Sequence, residues 1–263
     1  SLGRQVAIKE YLPAMWAGRG RKGRVGVHDP SFADDYASGL ASFVNEARLL
    51  ARFDHPSLVK VHRFWEAQGT AYMVMPYYQG VSLRQLRDSM SDPPDEAWQR
   101  RLLDGLLGAL EVMHAASVCH RDVAPDNILL LPSGRPVLLD FGAARHVVRG
   151  QAQALTAVLK PSYAPIEQYA ADSEVHQGPW TDIYAVAATL HYSLTGKAPP
   201  TSAARAVHDR HLPLLSRQEF GATSSTPGYD SAWLGALDWG LAGMPQARPQ
   251  NIAQWRAALS GRR

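Results

Sequence analysis

Cys119–Gly142 reads CHRDVAPDNILLLPSGRPVLLDFG, and this stretch decides how the rest of the chain is read. It contains two apolar segments, Asn127–Leu131 and Pro136–Asp140, separated by the turn residues Pro132-Ser133-Gly134. Apolar runs of this length bounded by Pro, Ser and Gly predict a β-hairpin. Three polar groups flank it: Asp122 and Asn127, five residues apart on one loop, and Asp140 at the end of the second strand. Closing the hairpin lets one carboxylate face a hydroxyl nucleophile, while the other carboxylate and the amide oxygen share hard, oxygen-liganded cations such as Mg²⁺. Phosphoryl transfer needs such a set, because its catalysis is mostly positioning and neutralisation of oxygen charge.

His120-Arg121-Asp122, then Asn127, then Asp140-Phe141-Gly142, resembles the catalytic and metal-binding loops of the protein kinases. The detail of HRDVAPDN and of the later YAPIEQY is most similar to bacterial serine/threonine protein kinases, and the resemblance runs over essentially the whole chain. It implies an α+β, two-lobed fold in one kinase domain. A partial, β-rich N-lobe with one helix would occupy 1–76, a hinge 77–80, and a larger, mainly helical C-lobe 81–263. It also implies ATP and Mg²⁺ as cofactors and Ser/Thr hydroxyls of proteins as substrates.

The resemblance assigns roles residue by residue. Asp122 orients the hydroxyl or accepts its proton, and Asn127 and Asp140 hold metal. Lys9, ending the β-branched run Val6-Ala7-Ile8, contacts phosphates and pairs with Glu46. Ala7, Met75, Pro76, Tyr78 and Leu129 belong to the adenine site, with Met75 as its gate. Pro76 has no N–H, so hinge donation falls nearer Tyr78. Glu167 of Tyr163-Ala164-Pro165-Ile166-Glu167 is expected to pair with Arg248, and Asp182 to hold the catalytic loop from below. Thr156, then Ser162, are the expected phosphosites, with Arg121 as phosphate receptor.

Two departures stand out. Only eight residues precede Lys9, so the family's glycine-rich loop is absent. The preferred account is truncation, with weak ATP binding and slow transfer as the consequence; a natural loop-less pseudokinase scaffold is the alternative. Second, Ala124 stands where the family carries a lysine two residues after the catalytic aspartate, and Leu159-Lys160-Pro161-Ser162 stands where it usually carries Gly-Thr-Pro-Gly. The stem of Lys160 is long enough to supply the missing charge as a catalytic residue.

Periodicity adds a helix over 37–53, from Leu40, Phe43, Ala47 and Leu50, with Glu46 near its inward stripe. Leu58–Trp65 and Thr70–Pro76 read as strands. The connection 10–37, rich in Gly and Arg around GRGRKGRVG, reads as a flexible, solvated insertion. Asp92–Glu96 signals the start of a helix whose apolar face is Trp98, Leu102, Leu106, Leu110 and Met113. Thr181-Asp182-Ile183-Tyr184 starts a very apolar helix closed by Thr195-Gly196.

Bulk properties set the outer limits. The 263 residues can bury a sizeable core, and 46% hydrophobic with 19% charged residues is ordinary for a soluble globular domain. A net charge of only +3 gives no reason to expect a nucleic-acid partner. The single Cys119 excludes an internal disulfide and suits a reducing compartment. No long apolar run or signal peptide is visible, so the expected location is cytoplasmic, or the cytosolic part of a larger membrane-anchored protein. Protein substrates are the expected partners, with a homodimer for autophosphorylation as a further implication. A small-molecule phosphotransferase of similar fold is the remaining alternative; the Tyr163–Glu167 motif with Asp182 and Arg248 favours a protein substrate.

Overall fold

The computed structural model describes residues 3–140, 145–146, 159–169, 176–220 and 228–261. Phe141, Gly142 and Thr156 therefore lie outside the described residues. The chain divides into two compact units, Ser1–Gln79 and Gly80–Arg263.

In the first unit, β1 (Val6–Glu10) is followed by β2 (Ala17–Arg19), β3 (Val25–Val27), α1 (Ala33–Leu50), β4 (Arg63–Ala67) and β5 (Thr70–Pro76). β5 lies in the middle of a three-stranded antiparallel sheet, order β1-β5-β4. Its register with β1 places Ala7 opposite Met75 and Lys9 opposite Met73. α1 begins four residues earlier than the periodicity predicts and ends at Leu50. A short turn, Pro30–Phe32, capped by Asp29, leads into it, and Asp34 and Asp35 sit in its first turn. Both features favour an early start, because acidic groups at a helix N-terminus complement the dipole. The strand expected from Leu58 begins only at Arg63.

The connection 10–37 is not a solvated insertion. β2 and β3 form an antiparallel hairpin, Ala17 opposite Val27 and Arg19 opposite Val25. Ala17 and Val25 are buried with Tyr36 of α1, and Tyr11, Val27 and Leu40 pack around them. Val25 N–H donates to Gln68 O at 2.8 Å, and the Tyr36 hydroxyl donates to Gly69 O at 2.8 Å. The hairpin is thus a wedge joining α1 to the β4–β5 turn. Gly69 has φ +80°, and a Cβ there would meet Val25 O at 2.6 Å, so both its backbone and its neighbour demand glycine.

The second unit runs β6 (Val81–Ser82), α2 (Leu83–Asp88), α3 (Glu96–Ala115), β7 (Val118–Cys119), β8 (Ile128–Leu130), β9 (Pro136–Leu138) and β10 (Arg145–His146). It continues with α4 (Pro179–Thr195), α5 (Ser202–Val207), α6 (Ser231–Gly240) and α7 (Ile252–Leu259). β8 and β9 form the hairpin expected from the quoted stretch, Ile128 opposite Leu138, and β6 extends it on the β8 side. Ser82 caps α2 in a reciprocal box with Gln85, and Asp95 caps α3. The α3 stripe Leu102, Leu106, Leu110 and Met113 is fully buried, while Trp98 is half-buried. Thr181–Leu194 of α4 is buried on every face, so α4 is the spine of the unit rather than a surface helix. Gly196 ends it in the left-handed conformation, φ +70°.

Candidate active site

The loop between β7 and β8 begins with two residues whose main chain is clamped. The Asp182 carboxylate, on the first turn of α4, accepts the His120 N–H at 2.9 Å and the Arg121 N–H at 2.7 Å. It also bonds the His114 imidazole of α3 at 2.7 Å, so one buried carboxylate joins α3, α4 and the loop. Burial alone would raise the Asp182 carboxyl, but the bond and charge of His114, with His120 and the Arg121 N–H, bring it below the ordinary range. Arg121 adopts φ +68°, a conformation costly for a residue with a side chain. Its carbonyl accepts the Gln168 amide at 2.8 Å, so the strained residue is held on both sides.

Asp122 follows, its N–H donating to His120 Nδ1 at 3.2 Å. An imidazole accepting at Nδ1 is in the neutral form, and full burial of His120 pushes its pKa down accordingly. The Asn127 side-chain amide donates to Asp122 O at 2.8 Å and to Asp122 Oδ2 at 2.7 Å. Lys160 Nζ lies 3.3 Å from the same Oδ2. The carboxylate is a quarter exposed, so it is oriented yet reachable. Between Asp122 and Asn127 the loop carries Val123, Ala124 and Pro125, all buried. Cys119 is buried just before the loop, and desolvation first, then the Asp182 charge, drives its thiol pKa up.

Asp140 sits two residues beyond β9, exposed, at φ +56°. Leu139 N–H donates to Asn127 O at 2.8 Å, which ties the end of the hairpin to the loop. Asn127 thus touches Asp122 through its side-chain amide and Leu139, the residue before Asp140, through its carbonyl. Asp126 faces out, ion-paired to Arg84 of α2 at 2.6 Å.

In the first unit, Lys9 Nζ pairs with Glu46 Oε1 at 3.2 Å and lies 5.8 Å from the centre of the Phe43 ring. Glu46 is 5% exposed, a buried carboxylate with a cationic partner, as its place on the inner stripe of α1 requires. Met75, Pro76 and Tyr78 are half-buried; Leu129 is half-buried on β8, opposite Val137 and Ser82.

Downstream, Arg248 binds Glu167 with two bonds, 2.7 and 3.2 Å, both side chains fully buried. The remaining three guanidinium hydrogens go to Ala242 O and Gly243 O at 2.7 Å and to Trp180 O at 3.3 Å, and the Thr181 hydroxyl donates to Glu167 at 3.0 Å. A bidentate, fully hydrogen-bonded pair is the form in which burial of two charges is tolerated. Sequence reasoning missed His114 and Gln168. Their signal is one polar side chain whose partner lies 68 or 47 positions away, which no local pattern reveals.

Comparison with known proteins matches this architecture. The family described as protein kinase domain matches residues 31–227. Serine/threonine-protein kinase PknD of Mycobacterium tuberculosis is 35% identical over 172 residues, 65% of this chain and 25% of that protein. PknK of the same organism is 38% identical over 165 residues, covering 60% and 14%. Sperm motility kinase 2B of Mus musculus is 32% identical over 157 residues, covering 59% and 31%. The chain thus spans less than a third of the length of these curated relatives. The solved apo form of PpkA-294 superposes with a TM-score of 0.82 at 43% identity, covering 97% of this chain and 86% of that one. With the loop after β7 clamped by Asp182 and its Glu167–Arg248 pair buried, the chain belongs to the protein kinase domain family.

Proposed function

We propose that this domain transfers the γ-phosphoryl group of ATP to Ser or Thr hydroxyls of protein substrates, with Mg²⁺ as cofactor. The observation that carries the reading is Asp122: a reachable carboxylate, oriented by Asn127, on a loop whose backbone is fixed by a buried aspartate. The names of the relatives, serine/threonine-protein kinases PknD and PknK, support the substrate class.

The donor set fits Mg²⁺. The Asn127 amide spends its nitrogen on Asp122, which leaves Oδ1 as its acceptor, and Asp140 offers a carboxylate; both are hard oxygen ligands. Mg²⁺, when bound, neutralises phosphate oxygens. Asp122 orients the substrate hydroxyl and takes its proton as the hydroxyl oxygen bonds to phosphorus. The bond from phosphorus to the β–γ bridging oxygen breaks, and its electron pair leaves with ADP. In the first unit, Lys9 is the phosphate-contacting lysine, held by Glu46. Ala7, Met75, Pro76 and Tyr78 there are the adenine-contacting residues of the reading. Of the two expected phosphosites, Thr156 and then Ser162, Ser162 is the one among the described residues.

The test is radiolabelled phosphate transfer from ATP with Mg²⁺ to a protein or peptide substrate, by the wild type and by Asp122→Asn. We expect transfer dependent on Mg²⁺ and a loss on the order of 10³-fold or more in kcat in the variant. Wild-type ATP binding without any transfer would favour a scaffold instead.

A further inference from the structure

We propose that Lys160 supplies a cation to the transfer site beside Asp122, and that its delivery by the segment 159–169 makes transfer depend on how that segment is seated. The inference rests on the kinase reading above and deepens it.

The physical problem is charge. A phosphoryl group in transfer spreads negative charge over its oxygens, and here it must approach the Asp122 carboxylate. The loop offers no side-chain cation between Asp122 and Asn127, because Val123, Ala124 and Pro125 are apolar and buried. The ammonium that meets Asp122 comes instead from Lys160, 38 positions later, at 3.3 Å. An ammonium carries three donors, and Asp122 Oδ2 uses one. The Lys160 side chain is 30% exposed, so an incoming oxygen can reach the others. Touching both Asp122 and the transferring phosphoryl oxygens, it would cancel their mutual repulsion.

Lys160 is held by its own neighbours. Tyr163 N–H and Ala164 N–H both donate to Lys160 O at 2.9 Å, closing a tight turn. Ser202 Oγ of α5 donates to Ala164 O at 2.7 Å. The Tyr169 hydroxyl donates to Pro161 O at 3.3 Å, and Gln168 reaches back to Arg121 O at 2.8 Å. The last bond joins the segment directly to the residue preceding Asp122. Gln168 is thus a positioning residue: it fixes how the segment that carries the ammonium meets the loop that carries the carboxylate.

The experiment compares steady-state kinetics of wild type, Lys160→Met, Lys160→Arg, Gln168→Ala and the Lys160→Met/Gln168→Ala pair, with Asp122→Asn as reference and thermal melts for each. Lys160→Met should lower kcat on the order of 10²-fold while KM for ATP and for peptide moves less than threefold, and Lys160→Arg should recover much of the loss. Gln168→Ala should lower kcat in the wild-type background and add little in Lys160→Met. A change below threefold in kcat for Lys160→Met, at an unchanged melting temperature, overturns the role of Lys160. Equal effects of Gln168→Ala in both backgrounds overturn the coupling. Full activity in Asp122→Asn would sink the kinase reading itself, a separate outcome.

Discussion

Removing the carboxylate of Asp182 would strand the His120 and Arg121 N–H groups in the interior and leave His114 without its partner. Buried donors left unpaired cost about 1–3 kcal/mol each, so Asp182→Ala should destabilise the domain by roughly 3–5 kcal/mol. Urea unfolding checks this, and a loss below about 1 kcal/mol would show that the clamp carries little. Asp182, Glu167 with Arg248, and Lys9 with Glu46 were legible through the resemblance to protein kinases, which assigns each of them a partner. His114 and Gln168 were not legible. A histidine in the last turn of an amphipathic helix and a glutamine after Glu167 look like ordinary polar residues until the fold brings Asp182 and Arg121 to them.

Among the elements, the β2–β3 hairpin has the largest consequence that composition hid. Gly18, Gly20, Gly23 and Gly26 with four basic residues spell a loop by composition, and each strand is only three residues long. Its ordering comes from two small buried side chains, Ala17 and Val25, against Tyr36 of α1. The longer elements were legible because their apolar repeats extend over several turns, as in α3 and α4. Since the wedge supports the helix carrying Glu46, Val25→Asp should loosen α1 first. Burying an unpaired carboxylate there is costly, and hydrogen exchange should rise across residues 33–50 while 100–130 keep their protection. Equal loss of protection in both regions would show instead that the hairpin supports the whole fold.

At the scale of the whole molecule, acid should weaken the fold through two imidazoles packed together, His191 of α4 and His211. His191 and His211 have ring centres 5.1 Å apart, and His191 Nδ1 lies 3.1 Å from Lys197 O. Burial pushes His191 down to about 3, helped by His211, Arg217 and Arg205. His211 falls to about 4, through burial and Arg205 and Arg217 against the pull of Asp209. Both groups are neutral in the fold and bind protons more readily when unfolded, so their stability is fully present above pH ~6.5 and is lost as pH falls toward 4 and 3. The loss should reach about 2 kcal/mol by pH 5 for His191, and less for the partly exposed His211. Urea midpoints at pH 7.5, 6.0 and 5.0 should fall in that order, with a shallower slope in His211→Gln; a flat profile would contradict it. Cys119, the one thiol of the chain, has a different consequence. Sealed inside and held in its unreactive protonated form, it should ignore maleimides, so a cysteine introduced on the surface would be the sole attachment point for a fluorophore. A dye placed beside residues 159–169 could then report their movement with no background label.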